Sequence, residues 1–85
     1  MRYNIKTHSP EERRAIISYF LLQGHKWHNN LDGKYSTVEA INKKFEFKKY
    51  PLIYISKGYM GGNNMQDSIT FEEYLKLPKY ERLEE

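Results

Sequence analysis

The sequence predicts a single α+β domain over residues 1–85. It should hold a small, mostly antiparallel sheet with two to three helices packed on one face, in the order β-α-β-α-β-β-α. Three observations carry this expectation. Three Ser/Thr-x-x-Glu capping boxes punctuate the chain, opening at Ser9, Ser36 and Thr70. Short alternating or apolar runs fill the spaces between them. A chain of 85 residues supports one thin core and no second domain.

The elements follow in chain order. Tyr3 and Ile5 alternate with Arg2, Asn4 and Lys6, the pattern of a half-buried strand. Ser9-Pro10-Glu11-Glu12 then starts a helix over about 10–23. Ser9 should accept the Glu12 N–H while Glu12 reaches back to Ser9, and Pro10 sits where its missing donor costs nothing. Only Glu11, Arg14 and Ser18 form a polar ridge, so most of this helix is expected to be covered, and Gly24 supplies the left-handed stop. His25-Lys26-Trp27 returns as a second strand.

Ser36-Thr37-Val38-Glu39 opens a short helix over about 37–44, whose apolar stripe is Val38, Ile41 and Phe45. Phe45, Phe47 and Tyr50 add a strand or an extended lead-in. Pro51 then starts Leu52-Ile53-Tyr54-Ile55-Ser56, which is apolar on both faces and therefore central. The glycine-rich run from Gly58 to Asn64 reads as a hairpin tip. Its turn would be built on Gly61-Gly62-Asn63-Asn64, with Gly58-Tyr59-Met60 and Ser68-Ile69 pairing across it. Thr70-Phe71-Glu72-Glu73 opens a last helix through Leu75 or Lys76, which Pro78 ends. An acidic tail is expected from about residue 79, ending in Glu84 and Glu85.

Composition narrows the function. With no cysteine, disulfides, thiolate metal sites and cysteine nucleophiles are excluded. The same absence suits a cytoplasmic protein, as does the lack of a signal-peptide core in Met1–Lys6 and of any run long enough to span a membrane. Eight of the thirteen aromatic residues are tyrosine, and the isoelectric point is near 9.1.

The net charge of +3 is unevenly spread. Residues 1–66 carry eleven Lys and Arg against five Asp and Glu, and residues 67–85 carry three against six. Phosphates require cations, and unstacked bases require rings, so a basic tyrosine-rich body suits a nucleic acid. The candidate RNA-binding residues are Lys26, Lys34, Lys43, Lys44, Lys48, Lys49 and Lys57, with Tyr35, Tyr50 and Tyr59 as exposed rings beside them. Trp27, Tyr19 and Tyr54 are expected in the core. Lysine outnumbers arginine ten to four, which favours phosphate attraction over base-edge readout. No helix presents Arg, Asn or Gln at the spacing needed to read a major groove.

Catalytic and metal-binding patterns are weak. His25-x-x-His28 is the one pair with a hint of ligand spacing, and Asp32 is the one further ligand nearby. In an extended segment the two rings point to opposite faces. Read with Lys26 they would make the acid, base and phosphate stabiliser of a small ribonuclease, a minor alternative. The glycine run lacks the Gly-Lys-Ser/Thr ending of a phosphate loop. Glu72 and Glu73 diverge on a helix and serve capping. The expectation is a binding protein rather than an enzyme, with no metal or cofactor. A thin core makes a homodimer one way to bury more surface.

Most of the chain resembles a set of small phage-encoded proteins. The likeness lies in Ile5-Lys6-Thr7 leading to Ser9-Pro10-Glu11-Glu12, in Gly24-His25-Lys26-Trp27, in Tyr50-Pro51-Leu52-Ile53-Tyr54-Ile55 and in Ile69-Thr70-Phe71-Glu72-Glu73-Tyr74-Leu75. These motifs are structural. Length, basicity and tyrosine content are most similar to the TifA-like toxin inhibitors of T-even phages. The resemblance implies an RNA-binding protein that counters a host toxin endoribonuclease of the ToxN type, part of a toxin–antitoxin defence system. It transfers no functional residue. The alternative of another class is a protein-only inhibitor that docks its basic face on an acidic host enzyme.

Overall fold

The computed structural model describes residues 2–28, 30, 33–64 and 67–83. Asp32, Glu84 and Glu85 lie outside the described residues. The element order is β1 (Arg2–Lys6), α1 (Pro10–Leu22), β2 (Lys26–Trp27), α2 (Val38–Lys44), β3 (Leu52–Ser56), β4 (Tyr59–Asn63), β5 (Ile69–Thr70) and α3 (Phe71–Leu75). The fold is α+β, with three consecutive strands between α2 and α3 where the sequence predicts two, because the stretch before the last helix adds a short edge strand of its own. The five strands form one mixed sheet in the order β2-β4-β3-β1-β5. The central pairs β1–β3 and β3–β4 are antiparallel, while β2 and β5 add short parallel edges.

Alternation along the strands sorts the sheet into two faces. Ile5, Ile53, Ile55, Met60 and Trp27 point to one side and are buried. The helices cover that side with Ile16, Ile17 and Phe20 of α1, Ile41 of α2 and Tyr74 of α3. Phe20 meets Tyr74 edge-on at 5.3 Å, and Trp27 lies 5.0 Å from Phe45. Tyr19 packs beside them, 5.1 Å from Phe71. Among the described residues, all three helices lie on this one side of the sheet, and the opposite side carries no helix.

Local chemistry sets the helix ends. Ser9 accepts the Glu12 N–H at 3.0 Å, as expected. Glu12 reaches one residue further back than a standard box, to the His8 N–H at 3.0 Å and the His8 ring at 2.8 Å. The expected second box is displaced by one residue. Thr37 is the cap of α2 and accepts the Ala40 N–H, while Ser36 turns back to the Gly33 carbonyl. The third box is complete, with Thr70 and Glu73 each accepting the other's backbone N–H at 3.0 Å.

The C-terminus of α1 is a full Schellman closure. Gly24, at φ +92°, donates to Leu21 O, and the His25 N–H donates to Phe20 O at 3.0 Å. This reversal aims the chain directly into β2.

Three expectations are corrected. The hairpin tip is Lys57-Gly58, not Gly61–Asn64. A two-residue loop with Gly58 at φ +82° joins β3 to β4, and Gly61 and Gly62 lie inside β4. Ser68-Ile69 does not pair with Gly58–Met60, because Ile69 and Thr70 join the far edge beside β1. The segment 79–83 is not a free tail: the Leu83 N–H donates to Tyr74 Oη at 3.0 Å, and Tyr3 Oη donates to Glu81 O at 3.1 Å. Leu77 and Leu83 pack against the core, which completes a small hydrophobic interior from a distant stretch of chain.

Arg13 was not expected inside. It shares the helical stripe of Ile16, Ile17 and Phe20, and is fully buried. Its Nε donates to Tyr50 O at 3.1 Å and its Nη1 to Asn42 Oδ1, so it ties α1 to α2 and to the turn that feeds β3. Desolvation lowers its pKa to about 10, which still leaves it charged at neutral pH. No carboxylate pairs with it among the described residues, an arrangement that makes its two acceptors indispensable.

Candidate nucleic-acid interface

Strand register builds the candidate site on the helix-free face. Two rows of side chains cross the sheet. In the first, Arg2 of β1 pairs with Ser56 of β3, Ser56 with Tyr59 of β4, and Tyr59 with Lys26 of β2. In the second, Asn4 pairs with Tyr54 and Tyr54 with Gly61, while the His28 N–H donates to Met60 O at 2.7 Å and carries its ring to the same face. Arg2, Lys26, His28, Tyr54, Ser56 and Tyr59 line an open basin of about 920 Å³ that also touches Asn30 and Trp27. Every ionisable side chain lining it, among the described residues, is a potential cation or a tyrosine. A surface of that charge and ring content matches a polyanion that carries planar groups.

The Tyr54 ring lies across Gly61. A Cβ at Gly61 would sit 3.0 Å from its Cζ and nearer still to Cε1. Arg2 holds its guanidinium 5.4 Å from the ring centroid, a cation–π contact, and the His28 ring meets it edge-on at 6.2 Å. Towards one end of this face Asn63 Nδ2 donates to Asn4 Oδ1 at 3.1 Å. At the other end Tyr59 is 53% exposed, beside the Lys57-Gly58 turn. Tyr54 was expected in the core, because its strand is apolar on both sides. Its neighbours across the strands, Asn4 and Gly61, show that its own side is not the packed one.

The candidate residues read from the sequence divide between two surfaces. Lys26 and Tyr59 line the basin, and Lys57 is exposed in the turn that joins β3 to β4. Lys43 and Lys44 end α2, and Lys48 and Lys49 follow it, so these four stand exposed on the helical side of the molecule. Lys34 is exposed in the loop before α2. Tyr35 and Tyr50 are not the free rings expected. Both are half-buried against Phe45, at 5.2 and 5.8 Å, and Tyr50 lies under Gly62 on the covered face.

No known protein family, curated protein or solved structure matches the chain.

Arg2, Tyr54 and His28 are the site residues that sequence reasoning missed. One signal was available for them: alternation places Arg2 opposite Ile5, and His28 opposite Trp27, on the face the core does not use. His25 and His28 point to opposite faces as expected. His25 is buried, 5.1 Å from Phe20, whereas His28 is exposed. The sheet separates them, so they cannot serve one ligand as acid and base. Among the described residues no three His, Asp or Glu side chains are grouped to hold a metal, and no helix is long and apolar enough to cross a membrane.

Proposed function

We propose that the protein binds single-stranded RNA on the open face of its sheet and does not cleave it. The observation that carries this reading is the pairing of two tyrosines, Tyr54 and Tyr59, with Arg2 and Lys26 on a helix-free surface whose lining includes no described carboxylate. Rings stack on unpaired bases whatever their sequence, and the cations hold phosphates. A duplex keeps its bases stacked inside and offers nothing to these rings. Binding should be weakly sequence-selective, since no Asn or Gln amide is free at the centre of the basin: Asn4 and Asn63 bond each other, and Asn30 is engaged with Tyr35 and Ser36.

Titration of a labelled RNA 12-mer, followed by fluorescence anisotropy, tests the reading against the matching DNA strand and against an RNA duplex. Saturable binding of the single strand that Tyr54→Ser weakens supports it. A preference for the duplex, or no effect of Tyr54→Ser, overturns it.

The likeness to TifA-like inhibitors supports a place for this binding in phage counter-defence. There the RNA-bound protein would engage a host toxin endoribonuclease and sequester it. The exposed lysines at 43, 44, 48 and 49 favour a second reading, in which that patch docks directly on an acidic protein. Ribonuclease treatment of the complex separates them, because an RNA-bridged assembly falls apart and a direct one survives.

A further inference from the structure

We infer that Gly61 is a positioning residue for a base-stacking seat on Tyr54, and that Arg2 fills this seat until an unpaired base displaces it. The inference rests on the RNA-binding reading and adds which ring takes the base, what holds that ring, and what must move.

Gly61 is not required by its backbone. Among the glycines, positive φ occurs at Gly24, Gly33 and Gly58, and not at Gly61. What Gly61 supplies is space. Its missing side chain leaves a trough on β4 into which the directly opposed Tyr54 ring settles, with the Cδ1–Cε1–Cζ side of the ring close against the strand. A ring held in this way presents a face outward at little further conformational cost, as a stacking platform needs. The space above the ring is the space Arg2 now occupies, with its guanidinium 5.4 Å from the centroid.

No carboxylate holds Arg2 there among the described residues. An exposed cation–π contact is weak, and a guanidinium gains more from a phosphate through paired charge-assisted hydrogen bonds. A nucleotide therefore brings both halves of an exchange: its base takes the ring and its flanking phosphate takes the arginine. The ligand class is a strand with an accessible base next to a phosphodiester. An abasic strand of the same length supplies the phosphates alone.

The test compares an oligoadenylate 12-mer with an abasic 12-mer of equal charge on the full chain. Wild-type protein should prefer oligoadenylate by roughly 10-fold, a typical value for one stacked base. Gly61→Ala pushes the ring off the strand, so that ratio should fall towards one while abasic affinity stays within about twofold. Tyr54→Phe should keep the ratio and Tyr54→Ser should lose it. Arg2→Met should weaken abasic binding yet raise the ratio, because the seat is no longer occupied.

A folded Gly61→Ala protein that keeps the wild-type ratio would overturn the role of Gly61. A lower ratio in Arg2→Met would overturn the role of Arg2. If Gly61→Ala does not fold, the double variant with Tyr54→Ser should, because the clashing ring is gone; failure of that rescue also counts against the contact. Wild-type protein that binds neither strand would instead remove the RNA-binding reading, and this inference with it. Binding both strands equally well removes only the seat.

Discussion

Salt dependence tests the sheet face most directly. Arg2 and Lys26 line the basin beside the rings, and a third cation, Lys57, is exposed in the turn that joins β3 to β4. For a single strand each neutralised phosphate contributes about −0.7 to the slope of log affinity against log salt, so three contacts give a slope of about −2. Raising salt fourfold, from about 50 to about 200 mM, should then weaken binding roughly 15-fold. Arg2→Gln, Lys26→Gln and Lys57→Gln together keep the side-chain stems and remove the charges. The slope of this triple variant should approach zero, and each single variant should lose about 0.7.

The control replaces Lys43, Lys44, Lys48 and Lys49 by Gln. These residues stand on the helical side rather than on the sheet face, so a slope set by the basin should hold. The assay is anisotropy with an RNA 12-mer across four salt concentrations. A control variant that loses the slope, beside a triple variant that keeps it, would move the interface to the helical side and refute the argument.

Other outcomes follow from the packing and the pKa shifts. Arg13→Ala leaves the Tyr50 carbonyl and the Asn42 amide without their donor inside the core, and should cost on the order of 3 kcal/mol in urea denaturation. Tyr74→Phe removes the acceptor of the Leu83 N–H, and should cost about 1 kcal/mol while speeding amide exchange at Leu83. Glu12 is held below its ordinary pKa, chiefly by its hydrogen bond to the His8 ring. A carboxyl depressed in the folded state stabilises above the unfolded value of 4.5 and loses that contribution as pH falls through the folded one. Thermal melts from pH 6 to pH 3 should therefore fall less steeply for Glu12→Gln than for wild type. Glu73 is lowered by the Thr70 backbone N–H, so Glu73→Gln should act in the same direction. Thr37→Ala should destabilise by about 1 kcal/mol and Ser36→Ala by less, since Thr37 is the cap.

Much of the fold was legible because it is fixed by short-range chemistry. Pro10, the Thr70–Glu73 box and Gly24 determine where the helices begin and end, and those bounds emerge within a residue or two. What was not legible depends on partners distant in the chain. Adjacency in the chain suggests that Ser68-Ile69 pairs with Gly58–Met60, but the partner of Ile69 is Ile5, at the other end of the sequence. The paired glycines at 61 and 62 carry the composition of a turn. Only the tyrosines laid over them explain why a strand should want them.

The candidate site was legible in kind rather than in place. Basic residues and tyrosines are plain in the composition, but the surface that gathers them is not. Which tyrosines face water could not be read from adjacent lysines, because Tyr35 and Tyr50 turn inward to Phe45 while Tyr54 turns outward from the middle of an apolar strand.

At Gly61 and Gly62 a single thickness of backbone separates Tyr54 on the outer face from Tyr50 on the inner one. In a saturation scan read out by binding, both positions should accept glycine alone, yet for unrelated reasons. A selection for abundance in the cell should register every change at Gly62, where a Cβ would press on Tyr50 from 3.0 Å. It should pass small replacements at Gly61, which only a selection for binding would remove. Two consecutive, chemically identical residues thus answer to different selective pressures, and the divergence between the two scans would mark the boundary between what folds this protein and what it is for.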